Sequence, residues 1–111
     1  MKGTMFIIRP EDADHTRIER HEKTEPPTLD EWQAACGGYV QKIPGLQSCR
    51  PLIGSVARCV ALCNEDGLSL RLPVNRVATA LWHGTAPRFS TQTLVGNVIV
   101  LTGDDEFMDS L

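Results

Sequence analysis

A chain of 111 residues with 41% hydrophobic residues has room for one domain and a modest core. Its net charge of −3 excludes general nucleic-acid binding, which calls for a basic balance, though a local basic pocket stays compatible with it. No apolar run approaches the ~20 residues of a membrane span, and the short run Thr4–Ile8 is followed at once by Glu11 and Asp12, unlike a signal peptide; the expected location is cytoplasmic.

Thr4–Ile8 reads as the first strand, ended by Pro10. Residues 10–27 are strongly charged, with Ile18 as their one large apolar residue, and read as a flexible solvated loop with room for a helical turn around Asp14–Arg20. Thr28-Leu29-Asp30-Glu31 is a capping box that opens a helix running to about Cys36. Leu29, Trp32 and Cys36 form its stripe toward the core, and Gly37 suits a left-handed cap. Tyr39–Ile43 then alternates as a strand up to Pro44, and residues 46–54 read as loop.

Ser55–Cys63 is apolar on both faces apart from Arg58, the pattern of a central strand. Asn64-Glu65-Asp66-Gly67 reads as a hairpin turn into a strand Leu68–Leu72, its three leucines inward and Ser69 and Arg71 outward. Pro73 breaks that strand, and Asn75 caps a helix from Arg76 to about His83 with Val77, Ala80 and Leu81 on one face. Gly84 ends it; residues 85–92 are loop. The last strand lies in Thr93–Thr102, with Gly96-Asn97 as a bulge or turn at its start, and residues 104–111 are an acidic tail expected to fray. The order β-α-β-β-β-α-β describes a single α+β domain, a mainly antiparallel sheet of about five strands with two short helices.

Chemistry is sparse along this frame. Cys36, Cys49, Cys59 and Cys63 form no C-x-x-C pair, and Cys59 and Cys63 sit roughly 13 Å apart if they share a strand, so buried free thiols are expected and no metal site. No phosphate-binding glycine motif and no nucleophile elbow is present, and no catalytic residue or cofactor is expected. Three arginines stand out. Arg58 interrupts an apolar strand and needs an ion pair, a route to solvent or a ligand. Arg71 points away from the leucine face. Arg76 sits in the first turn of a helix, where a cation opposes the dipole; a bound anion would resolve that conflict.

The stretches "GGYVQKI", "CNEDGLSLRLPVNRVATALW" and "VGNVIVLTGDDE" resemble a family of small uncharacterised domains from bacteriophages and mobile elements. The shared pieces are a G-G-Y strand, an N-E-[DE]-G turn, an L-P-x-N-R element and a final strand, spanning about Leu29 to Asp105. Gln41 stands where the resemblance leads one to expect an acid, so a catalytic acid at that position in relatives would be missing here.

The resemblance implies a phage-type setting, hence the host cytoplasm, and no established activity. The expectation is a non-enzymatic binding protein acting in counter-defence, with a homo-oligomer as one option. It would sequester an anionic, nucleotide-like ligand at Tyr39, Arg58, Arg71, Asn75 and Arg76. The alternative is an anti-CRISPR-like inhibitor that blocks a host nucleic-acid-binding protein by direct contact, for which the acidic stretches speak.

Overall fold

The structure is a computed structural model and describes residues 1–12, 18–48 and 58–111. Its sheet is built from β1 (Gly3–Ile8), β2 (Glu19–Lys23), β3 (Val40–Lys42), β4 (Cys59–Asn64) and β5 (Val98–Gly103), in the order β2-β1-β5-β4-β3. Every neighbouring pair is antiparallel. The described residues also form three α-helices: α1 (Leu29–Cys36), α2 (Arg76–Thr85) and α3 (Asp105–Asp109). The α+β class and the five-stranded antiparallel sheet are as expected, but they are not the expected five strands.

Side-chain alternation divides the core in two. Phe6, Ile8, Ala61, Val98 and Val100 face α2, where they meet Ala78, Leu81 and Trp82. Met5, Ile7, Leu62, Ile99 and Leu101 face the other way, onto α1 and α3. The central strand β5 is buried on both faces from Val98 to Thr102, which is why its sequence reads as an unbroken apolar run.

Two charged segments are more structured than their composition suggests. Residues 19–23 pair with β1 from Gly3↔Lys23 to Ile7↔Glu19, forming an edge strand whose side chains are all polar. Arg9–Glu19 (3.0 Å) and the Thr4 hydroxyl donating to Glu22 (3.2 Å) tie it to the β1 segment, Lys23–Glu31 (2.9 Å) ties it to the helix that follows, and Arg20–Glu22 (2.9 Å) pairs along the strand itself. The helical turn considered for Asp14–Arg20 lies largely outside the described residues, and Glu19 and Arg20 belong to β2. At the other end, α3 stands where a frayed tail was expected. Asp104 caps it by accepting from the Phe107 amide (2.9 Å), and Phe107 is fully buried. The ring lies against Gly3 and Gly103, paired in register; a Cβ on either would come within 2.5–2.7 Å of the ring. An aromatic side chain in an acidic tail therefore docks because two glycines leave it space.

Several helix details differ from the sequence reading. The capping box at Thr28 and the left-handed Gly37 (φ 79°) are as expected, but Leu29 is exposed and Trp32 and Cys36 carry the contact. Helix α2 continues through Gly84 to Thr85, and its buried face is Ala78, Leu81 and Trp82, with Ala80 exposed. Of the expected strand Ser55–Cys63, residues 55–57 lie outside the described residues and Cys59 onward forms β4.

Phe107→Ala is expected to destabilise the domain by about 3–5 kcal/mol in urea unfolding, the range for truncating a buried aromatic; a frayed tail would give no change. Hydrogen bonds from the Phe107 and Lys2 amides hold the Asp104 carboxyl below the ordinary carboxylate range. That stabilisation is present above the ordinary value of 3.8 and is lost as pH falls through the lowered one. Acidification below pH 3.8 should therefore weaken this cap, seen as a falling urea midpoint, and Asp104→Asn should remove this part of the dependence.

Candidate functional site

The stretch Asn64–Arg76 joins β4 to α2 at the end of the sheet where β1 ends and β5 begins. It is no hairpin. The Asn64 side chain accepts from the Asp66 amide (2.8 Å) and donates to the Cys36 carbonyl (3.1 Å), turning the chain off the sheet. The Leu70 amide then reaches Asp66 O (2.9 Å), the Arg71 amide Leu68 O (3.1 Å) and the Leu72 amide Gly67 O (3.0 Å). The last two bonds are the pair that defines a Schellman cap, with the left-handed residue between them. That residue is Arg71, at φ 55°, the one non-glycine with positive φ among the described residues. The strand expected over Leu68–Leu72 is thus a capped turn.

This correction changes which side chains face solvent. Leu72 packs toward Gly67 and Gly96, where a Cβ on Gly96 would sit 2.7 Å from its Cδ1. Leu68 and Leu70 are 77% and 58% exposed, and Val74 and Tyr39 nearby are 50% and 66% exposed. Tyr39 adjoins the turn, its carbonyl accepting from the Glu65 amide (2.8 Å).

Asn75 is fully buried. Its side chain caps α2 by accepting from the Ala78 amide (3.1 Å), and it donates to the Ile8 and Gly96 carbonyls (2.8 Å each). These bonds tie the residue to the scaffold and turn its amide away from solvent. Arg76 follows on the surface of the helix start.

The structure does not bring the five expected site residues together. Tyr39, Arg71, Asn75 and Arg76 are at one end of the sheet, whereas Arg58 lies roughly 20 Å away, six residues back along β4. Arg58 pairs with Asp109 on α3 (3.0 Å), the edge ion pair that an arginine beside a core strand needs. Among the described arginines, Arg9, Arg20 and Arg58 pair with carboxylates and Arg88 lies over the Phe89 ring. Arg71 and Arg76 have no carboxylate or ring partner among the described residues.

Two clefts flank β3. The smaller, about 180 Å³, has Cys63, Trp82 and Leu94 among its walls, with Gln41, Lys42, Glu65, Leu68, Gln92 and Thr93 around them. The larger, about 520 Å³, runs from Lys42 and Gly45 past Arg58 to Met108 and Leu111. Neither is lined by Tyr39, Arg71 or Arg76. The thiols fit an inert role: burial pushes Cys36 up to about 12 and raises Cys63. Cys36 and Cys63 form no disulfide, the Cys59 thiol donates to the Leu46 carbonyl (3.7 Å), and Cys49 lies outside the described residues. Among the described residues no group of three or more His, Cys, Asp or Glu is placed to hold a metal ion, and no helix is long and apolar enough to cross a membrane.

A family model described as a domain of unknown function, DUF3846, matches residues 1–111. The chain belongs to this family. No curated protein and no solved structure matches it. The DUF3846 match reaches beyond the stretch on which the motif resemblance rests, taking in β1, β2 and α3 as well. The exposed leucines and the left-handed arginine escaped the sequence reading for one reason: arginine occupies a cap position where glycine is the usual signal.

Two measurements check this geometry. Arg71→Gly relieves a left-handed side chain, so stability should stay level or rise by up to about 1 kcal/mol in urea unfolding; a strand would lose stability instead. At pH 8 Cys36 should alkylate roughly a hundredfold more slowly than a free thiol, followed peptide by peptide in mass spectrometry, and reach the free rate in denaturant.

Proposed function

We propose that this protein is a non-enzymatic binding protein that acts by direct contact with a partner protein through the surface around Tyr39, Leu68, Leu70, Arg71, Val74 and Arg76. The observation that carries this reading is the exposure of Leu68 and Leu70 beside two arginines that no carboxylate neutralises among the described residues. Exposed apolar side chains with tyrosine and arginine among them have the composition of interface centres. A left-handed arginine adds to this, because backbone strain kept at a surface position gathers where a side chain is used. The motif resemblance supplies the setting: a phage or mobile element, with the partner a host defence protein and the role counter-defence.

One observation favours a second reading, capture of an anionic, nucleotide-like ligand. Arg71 and Arg76 flank a helix start whose amides attract negative charge. Against it, the smaller cleft, about 180 Å³, falls below the 300–1,000 Å³ usual for small-molecule sites, and neither cleft reaches these arginines.

The test is to compare the wild-type protein with Leu68→Asp/Leu70→Asp and Arg71→Glu/Arg76→Glu variants in quantitative affinity purification from host cells, with released small molecules analysed in parallel. The reading expects one host protein retained by the wild type and reduced at least tenfold by both variants, whose melting curves stay cooperative. A released nucleotide lost only in the arginine variant would instead establish ligand capture.

A further inference from the structure

The sheet ends on two edges that the sequence treats differently. On β2 all five side chains, Glu19–Lys23, are polar, and Glu19, Arg20, Glu22 and Lys23 are engaged in ion pairs. Charged side chains of this kind guard an edge against further strand pairing. On β3 the residues are Val40, Gln41 and Lys42, with one charge and no ion pair among the described residues, next to the exposed Tyr39. The hydrogen-bond pattern sets which groups are free. The Glu65 amide donates to Tyr39 O (2.8 Å) and the Ile43 amide donates to Ala61 O (2.8 Å), so the odd-numbered residues bond to β4. In an antiparallel ladder the intervening residues turn their N–H and C=O groups the other way. The backbone groups of Val40 and Lys42 therefore point off the sheet, and no partner for them exists among the described residues.

What flanks this edge specifies an occupant. Gln41 pairs with Cys63, which packs on the α2 side of the sheet, and on that side lies the cleft of about 180 Å³ with Trp82 and Leu94 in its walls. Lys42 pairs with Leu62, which faces α1 and α3, and it offers a cation with no carboxylate partner among the described residues. A strand added here would alternate its side chains between these two environments. We propose that the outer edge of β3 is a docking strand for an extended segment of a partner protein, bonded to the Val40 and Lys42 backbone, with an apolar side chain over the Trp82 cleft and a neighbouring carboxylate against Lys42.

This deepens the reading of a protein-binding surface by naming how a partner segment is held, and it does not depend on Arg71 or Arg76. The cleft volume suits one side chain rather than a cofactor, and the recognition mode is strand addition, in which backbone bonds give affinity and alternate pockets give specificity.

The probe is a panel of capped seven-residue peptides in which glutamate alternates with leucine, isoleucine or phenylalanine, with lysine-for-glutamate counterparts, titrated by fluorescence anisotropy and by amide NMR of the whole chain. Lys42→Pro removes an outward N–H and the cation but no bond to β4, so the fold should persist, while Lys42→Gln removes the charge alone and keeps the donor. The expected result is binding of acidic peptides with shifts at the Val40 and Lys42 amides. Affinity should fall at least tenfold in Lys42→Pro and about threefold in Lys42→Gln, and the lysine peptides should bind more weakly. Should Lys42→Pro fail to fold, slowed hydrogen exchange of the Val40 and Lys42 amides on peptide binding to the wild type decides the question. No binding by any peptide would overturn the proposal. So would shifts confined to residues 64–76, which would leave the protein-contact reading standing, or concentration-dependent shifts at Val40 and Lys42 without peptide, which would make the occupant a second copy of the chain.

Discussion

The amide of Asn75 is the constraint on which the site end of this domain depends. It is fully buried and joins three elements: it caps α2, and it donates to the last residue of β1 and to the glycine before β5. Removing it would leave buried carbonyls unpaired, each costing about 1–3 kcal/mol. Because the same side chain sets where α2 begins, it also sets where Leu72 and Pro73 must arrive and hence how the 64–72 turn is presented. The backbone bonds from Asn75 N to Leu94 O and from Gly96 N to Pro73 O (2.8 Å each) close the same junction.

With that junction anchored, the two sides of the sheet take different tasks. The α2 side carries the larger aromatic contacts: Trp82 stacks on Phe89 at 4.8 Å between ring centroids and donates to the Pro44 carbonyl. That bond draws the start of the post-β3 loop toward α2 and shapes the smaller cleft. The other side is closed by α1 and by α3, whose Phe107 is admitted by the glycines at the ends of β1 and β5. Charge follows the same division of labour. Of the six described arginines, Arg9, Arg20 and Arg58 pair with carboxylates and Arg88 lies over Phe89, whereas Arg71 and Arg76 stand near the sheet end that also exposes leucines.

The local chemistry of the chain was readable wherever the signal is intrinsic to a few residues. The capping box at Thr28, the left-handed Gly37, the N-cap at Asn75 and the buried apolar strands at β1, β4 and β5 follow from side-chain hydrogen bonding, backbone freedom and the run of apolar residues. Errors arose where two local patterns overlap. "LSLRL" alternates like a strand, yet the same spacing suits a turn whose last leucine tucks inward, and Arg71 hides the cap. Gly84 resembles a helix stop, but nothing lies within 4 Å of the Cβ position there, and α2 runs through it.

By itself the sequence determined the α+β class, the positions of most caps, and the anomaly of cations at Arg58, Arg71 and Arg76, because these depend on contacts within a few residues. Tertiary structure alone decided the rest. It resolved Arg58 into an ion pair with a residue 51 positions away, made a strand of charged residues 19–23 by giving them β1 to pair with, and buried Phe107 between two glycines. Long-range pairing overrides composition because a free backbone edge or a gap of the right shape offers a partner that no neighbouring residue in the chain supplies.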